Sequence, residues 1–380
     1  MLYTRIKNNS YRDSISLTLL TDAVKKNAAV NNAQVVMGTD ANKELLKELH
    51  LYNEEVKAAK PNDMIIAIEA DQAGVIDTVM QEVEDFLSYE TSERKTVRRE
   101  KTSNRAEAKS QFIDALLPLE RQIGKVHSVF NTSFNIMIND QLINFSRVGM
   151  PLNPHGCLLQ QEKMNELLEK IRPGNIVRVK EEKFTFYTTE KIMSVDLSNM
   201  QAINLSIPKI EIPIEQISKT NLYKVLEAVP FTKRIGLENT KDTAAAFEIL
   251  ETINKQTKEK QKQAFTYLIG RGNGLTPSGD DILIGFVMLR KAFSQSAIFE
   301  EMLKEAEEQR NTTDISKAYY QSVFNGYISS IFSSFLENIY ETDSKNKNET
   351  EVLIRQIGKY GHTSGYDTMF GIFLGLKSFL

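Results

Sequence analysis

The chain has 380 residues, 41% hydrophobic and 26% charged, a size and balance that allow two or three domains with a sizeable core and exclude general disorder. A net charge of −3 and a pI near 6.0 exclude a broad attraction to nucleic acid or to an anionic membrane, so any anion site must be local. One cysteine, Cys157, excludes an internal disulfide framework and a multi-cysteine zinc site, and no apolar run approaches the ~20 residues needed to span a bilayer. With no apolar signal-peptide core behind Met1, the expected location is the cytoplasm.

In chain order, the first ninety residues alternate short apolar runs with helical patterns. Strands are predicted at Leu2–Ile6, Gln34–Met37 and Met64–Ile68, and helices at Asp13–Val24, Ala41–Leu49 and Ala73–Leu87. That alternation predicts a small α/β domain, residues 1–90, with right-handed crossovers and a mostly parallel sheet. The run from Ser92 to Arg105 is almost free of apolar residues, and 91–110 reads as a charged linker. Strands are expected from about Val126 to Ile214. Phe134–Ile138 and Leu142–Phe145 flank Asn139-Asp140, and Ile176–Val179 and Phe184–Tyr187 flank Lys180 to Lys183, two hairpins of an antiparallel, β-rich part assigned to residues 111–215.

Beyond Glu215 the pattern is helical to the end, residues 216–380. Helices are predicted at Leu222–Ala228, Asp242–Glu259, Asp281–Phe293, Ile298–Glu308, Ile315–Tyr340 with a break near Gly326, Glu351–Lys359 and Tyr366–Phe379. The expected fold class is therefore α+β and multidomain: a small N-terminal α/β domain, a β-rich subdomain and a C-terminal helical subdomain.

The helical part makes one loop-to-helix device twice. Gly270-Arg271-Gly272-Asn273-Gly274-Leu275-Thr276-Pro277-Ser278-Gly279-Asp280-Asp281 opens into an apolar helix, and Gly361-His362-Thr363-Ser364-Gly365-Tyr366-Asp367 opens into another. Ser278 matches Ser364, Gly279 matches Gly365, Asp281 matches Asp367, Gly285 matches Gly371, and Lys291 and Phe293 match Lys377 and Phe379. A helix start behind glycines carries unpaired N–H groups and the positive end of the helix dipole, so two of them point to a small doubly anionic ligand. The first loop lacks the Gly-Lys-Ser/Thr ending of a Walker A loop and the third glycine of a Rossmann fingerprint, so nucleotide binding is not indicated.

Two readings of the repeat stand side by side. In one, Ser278 and Ser364 are N-caps with Asp281 and Asp367 three residues on, an Asp form of the capping box, while Gly285 and Gly371 let two buried helices approach. In the other, Gly272, Asn273, Gly274, Thr276, Ser278, Gly279, Asp280 and Asp281, with Thr363, Ser364, Gly365 and Asp367, bind substrate or phosphate. Arg271 then neutralises an anion and His362 serves as general acid or base. Asn131 and Asn135 add amide donors or hold turns. No cofactor is expected; Mg²⁺ on Asp280, Asp281, Asp367 and His362 is the metal alternative. Cys157 is expected to be a small buried hydrophobe.

These motifs resemble a known family. Gly272-x-Gly274-Leu275-Thr276-Pro277-Ser278-Gly279-Asp280-Asp281-x-Leu283-x-Gly285, then Thr313-x-x-Ser316, then Gly361-His362-Thr363-Ser364-Gly365-x-Asp367 are similar to the AllH family of oxamate carbamoyltransferase subunits. The likeness runs from about Gln111 to Leu380 and includes Phe130-Asn131-x-x-Phe134-Asn135. Arg12-Asp13-Ser14-x-Ser16-Leu17, Met37-Gly38-Thr39-x-Ala41-Asn42-Lys43-x-Leu45-Leu46 and Pro61-Asn62-Asp63 resemble instead the N-terminal segment of FdrA, a second subunit associated with the same activity, so the chain looks like a fusion. The resemblance implies anaerobic allantoin breakdown, in which oxalurate and phosphate give oxamate and carbamoyl phosphate. It also implies partner subunits and small anionic substrates. On that reaction phosphate sits at the 270–281 loop, helix N–H groups stabilise the oxyanion and His362 protonates the leaving nitrogen. A scaffold or regulatory subunit, binding an anion while a partner performs the transfer, is the alternative; a Mg²⁺-dependent phosphate enzyme is a third.

Overall fold

A computed structural model describes residues 1–10, 17, 20–21, 24–25, 27, 29–71, 79–81, 83, 106–117, 120–340, 347–359 and 363–380, the side chains of 347–349 excepted. The helices expected at Asp13–Val24 and Ala73–Leu87, the run Ser92 to Arg105, and Gly361 and His362 lie largely or wholly outside the described residues. The fold is α+β, as expected, and the chain divides into two compact units: Met1–Lys95 with Lys209–Lys317 and Phe335–Leu380, and Thr96–Pro208 with Ala318–Ser334. Among the described residues no helix is long and apolar enough to cross a membrane.

The first unit begins with a three-stranded sheet of β1 (Leu2–Lys7), β2 (Val30–Met37) and β3 (Met64–Ala70) in the order β1-β3-β2. The mostly parallel sheet expected here is corrected: β3 lies between the other two and runs antiparallel to both, with Leu2 opposite Glu69 and Val36 opposite Ile65. A strand inserted into a βαβ unit leaves the strand and helix alternation of the sequence unchanged, so the pattern could not reveal it. Helix α1 (Asp40–Glu48) follows β2 at once, because Thr39 caps it by accepting from the Asn42 N–H, and it packs Leu46 on Val36 and Ile65. The five-residue helix Glu54–Ala58, capped by Asn53, was not expected.

In the rest of this unit the single helix predicted at Asp242–Glu259 is two, Lys241–Glu251 and Lys258–Leu268, since Thr257 caps a fresh start by accepting from the Lys260 N–H. Its centre is a pair of almost wholly buried helices, α2 (Ser278–Ala292) and α3 (Ser364–Lys377). They run parallel. Thr276 meets Ser364 at one end, the rings of Phe293 and Phe379 meet at 4.7 Å at the other, and Gly285 and Gly371 cross between them. A Cβ on Gly285 would stand 2.1 Å from the Thr368 carbonyl oxygen, and one on Gly371 2.0 Å from that of Ile282. The helices touch backbone to backbone, so nothing larger than glycine fits at either crossing point.

The second unit is built on a nine-stranded sheet. In chain order its strands are β4 (Ala108–Ser110), β5 (Gln122–Val129), β6 (Ser133–Ile138), β7 (Gln141–Arg147), β8 (Gly156–Leu159), β9 (Ile176–Lys180), β10 (Lys183–Tyr187), β11 (Ile192–Asp196) and β12 (Gln201–Ile203). They lie in the order β11-β10-β9-β5-β6-β7-β8-β4-β12. Both predicted hairpins form, and Asn139 and Asp140 take positive φ of 48° and 58°, as a two-residue turn between twisted strands requires. Two corrections apply. The sheet is mixed, with β7–β8 and β4–β12 parallel, and β4 falls inside the expected linker. Helix Gln161–Lys170 interrupts the strands and buries Met164 and Leu167 on a core of Phe134, Phe145, Phe184 and Phe186. Phe134 stacks on Phe145 at 4.7 Å and Phe184 meets Phe145 edge-on at 5.1 Å.

Candidate anion-binding site

The site forms where α2 and α3 begin. Gly270, Gly272 and Gly274 all have positive φ, and a Cβ on Gly272 would stand 2.7 Å from the Ser278 nitrogen, so the loop turns tightly back on the helix it precedes. That folding consumes backbone donors. The Gly279 N–H goes to the Arg271 carbonyl at 2.8 Å and the Asp280 N–H to the Pro277 carbonyl at 2.9 Å, so the free N–H cradle expected at α2 is largely spent. Two parallel helix dipoles still point their positive ends at one place, and the first-turn acids Asp280, Asp281 and Asp367 offset them.

The capping-box reading is corrected. Pro277 and Thr363 occupy the caps without side-chain bonds, and Ser278 and Ser364 are the first helical residues. Their hydroxyls cross instead to the other copy of the repeat: Ser364 bonds Asp281 and Ser278 bonds Asp367, while Thr276 and Thr363 each bond the aspartate of their own copy. Asp367 Oδ1 also accepts the Gly236 N–H at 2.9 Å. Asp280 has a different task. Its Oδ1 accepts the Gly270 N–H at 2.8 Å and its Oδ2 accepts from Thr312, pinning the loop. Asp281 Oδ2 and Asp367 Oδ2 are buried with no hydrogen-bond partner among the described residues. Burial, with the charge of Asp367 nearby, holds the Asp281 carboxyl well above the usual carboxylate range. Burial raises Asp367 to about 7 against the opposing bonds from Gly236, Thr363 and Ser278.

Beside this pair opens a pocket of about 430 Å³, lined among others by Lys233, Arg234, Gly236, Asn273, Ser278 and Thr363. Its volume suits a small ligand. A Cβ on Gly236 would stand 2.2 Å from Ser278 Oγ and 2.7 Å from Thr363 Oγ1, so this glycine leaves both hydroxyls open to the pocket. Arg234 reaches across it to within 5.4 Å of the Tyr366 ring centre. Lys233, Arg234 and Gly236 were not expected as site residues; their only signal is a basic pair two residues ahead of a glycine in Lys233-Arg234-Ile235-Gly236.

The other expected site residues are placed as follows. Arg271 is a buried brace: its guanidinium pairs with Glu44 of α1 at 3.2 Å, donates to the Tyr267 carbonyl at 3.1 Å and stacks on the Tyr267 ring at 4.0 Å. The loop rests on the N-terminal domain at two further points, where Thr39 Oγ1 donates to the Gly270 carbonyl and the Gly272 N–H donates to Asn42 Oδ1 at 3.1 Å. Asn273 faces the pocket, while Gly279 and Gly365 lie in the first helical turns against the Leu268 and Ile357 carbonyls. Asn131 and Asn135 belong to the second unit. Asn135 is buried there in a ladder, donating to Ser128 Oγ at 3.0 Å and accepting from Asn144 at 2.8 Å, so its amide is already used. Among the described residues no three His, Cys, Asp or Glu side chains come together as a metal-binding group. Cys157 is buried in β8, which pushes its thiol up.

Three family models match successive stretches of the chain. Residues 268–376 match the family described as oxamate carbamoyltransferase subunit AllH, and residues 104–202 match the AllH family N-terminal domain. Residues 1–105 match the heavy metal-associated domain of AllF. This segment contains no cysteine, so it offers no thiolate to a soft metal. An uncharacterized protein of Escherichia coli strain K12, YahF, is 34% identical over 83 residues, which is 22% of this chain and 16% of that protein. No solved structure matches. The two AllH matches together cover more than half of the chain, which belongs to the AllH family over residues 104–202 and 268–376 and carries an AllF-type domain ahead of them.

Proposed function

We propose that the chain is a subunit of oxamate carbamoyltransferase in allantoin breakdown, and that its pocket receives phosphate and oxalurate. The observation that carries this reading is the convergence of two parallel helix N-termini and two cations, Lys233 and Arg234, on one pocket. The anion-neutralising role expected of Arg271 passes to that pair, since Glu44 already matches the charge of Arg271. Ser278, Thr363 and Asn273 supply the neutral donors that orient the substrates and meet the oxyanion as it develops. The AllF-type domain shapes the glycine loop through Thr39, Asn42 and Glu44. Partner subunits are part of the reading, because the family is one of subunits.

The test is calorimetric titration of the full chain with inorganic phosphate. The double variant Lys233→Ala/Arg234→Ala is expected to bind at least about tenfold more weakly, the loss of one or two charge-assisted hydrogen bonds. Unchanged affinity would place the anion elsewhere.

A further inference from the structure

We infer that Asp281 and Asp367, in the first turns of α2 and α3, together retain a proton at neutral pH, and that this carboxyl pair is the acid–base group of the site, reached through the hydroxyls of Ser278 and Thr363. The catalytic half of the inference rests on the proposed transfer reaction. The retained proton rests on the burial of both groups and on their two bare oxygens.

The two aspartates occupy matched positions of the repeat, and both are nine-tenths or more buried. Each leaves Oδ2 without a hydrogen-bond partner among the described residues. A buried carboxylate oxygen with nothing to accept is costly, and two ionised carboxylates that feel each other in a dry contact are costlier still. A proton retained on the pair removes a charge from the buried contact. No described cation bonds either group: Asp281 meets Ser364 and Thr276, and Asp367 meets Gly236, Thr363 and Ser278. Among the remaining charged and titratable neighbours, Asp280 on α2 is tied to Gly270 and Thr312, and Lys233, Arg234, Glu238 and Tyr366 stand at the pocket. Glu307, on the helix Ala297–Gln309, faces Asp280 and Lys317.

The chemistry balances. A phosphate oxygen attacks the ureido carbon of oxalurate, the new C–O bond forms and the C–N bond to the oxamate nitrogen breaks. The proton lost by the attacking phosphate must reach that nitrogen. The pair takes one proton and gives one, and ends each turnover as it began. Ser278 and Thr363, which touch both Asp367 and the pocket, carry the proton between them.

Infrared titration of the full chain reads protonated carboxyls directly, through a carbonyl stretch that an ionised carboxylate lacks. The expected result at neutral pH is such a band, weakened or shifted in Asp281→Asn and in Asp367→Asn alike and unchanged in Glu307→Gln, the control for the other raised carboxyl. A wild-type chain without the band, or a band that both asparagine substitutions leave unchanged, would overturn the inference, and the wild-type spectrum decides the first point even where a variant fails to fold. With partner subunits present, Asp367→Asn is expected to lower kcat with little change in the KM for phosphate and to abolish the pH limb set by the pair. A band that persists in a chain unable to bind phosphate leaves the retained proton standing and sinks only the proposed reaction.

Discussion

In the sheet unit, Ser128, Asn135, Asn144, Asn153 and Tyr319 join side chain to side chain in a buried ladder with contacts of 2.8 to 3.0 Å. Between α2 and α3, two buried carboxyls bond crossing hydroxyls and each still leaves an oxygen bare among the described residues. Both clusters sit where water does not reach, and only one is closed. A ladder of amides neither titrates nor carries charge, so satisfying it costs no proton and fixes the strands that bear it. An open carboxyl pair is held in place at a cost to the fold, and such a cost belongs where a protein does chemistry.

The largest separation between the clusters should appear in the pH dependence of stability. Burial raises Asp367 from an ordinary 3.8 to about 7, so folding holds its proton more tightly than the unfolded chain does. Its contribution is therefore full below about pH 4 and lost as pH rises through 7, a change on the order of 4 kcal/mol. Asp367→Asn keeps an acceptor for the Gly236 N–H and does not titrate. Denaturant unfolding should find the variant more stable than the wild type at pH 8, with the advantage gone near pH 4; parallel curves would mean that Asp367 is ionised without penalty. The sheet unit should slope the other way. Burial lowers His155 to about 4, so its contribution is full above about 6.5 and lost as pH falls through 4.

A smaller effect, of opposite sign, is expected from Asn144→Ala. It removes the acceptor used by Ser146 and Asn153 and the donor used by Asn135. The loss should be about 2–4 kcal/mol, independent of pH between 7 and 9 because an amide does not titrate. Phosphate affinity should not change. A pH-dependent loss would show that the ladder is not the closed structure described.

How much of this could be read from the sequence differs between the same two regions. The repeat was legible, and so was the close approach of its helices, because Gly285 and Gly371 recur at one offset. The crossing of the hydroxyls was not. A serine three residues ahead of an aspartate looks local, and only parallel packing of the two copies makes Ser278 face Asp367 and Ser364 face Asp281. Arg271 drew attention as a cation in a glycine loop, but its partner Glu44 lies 227 residues away. Lys233 and Arg234 sit in no motif at all. In the sheet unit the hairpins announced themselves through Asn139-Asp140 and alternating residues, whereas Met164, Leu167 and Leu168 form an amphipathic stripe too short to stand out among strands. The Asn135 amide looked available because its partners Ser128 and Asn144 are on neighbouring strands, a relation that pairing register alone creates.

The most direct measurement is carbamoyl phosphate formation from oxalurate and phosphate by the full chain, alone and with candidate partner subunits, in the wild type and in Asp367→Asn. The account predicts turnover that falls by about 10²–10⁴ in the variant, the usual contribution of a positioned acid–base group, while phosphate still binds. Turnover that needs the chain but ignores Asp367 would contradict it, and would move the chemistry to a partner subunit.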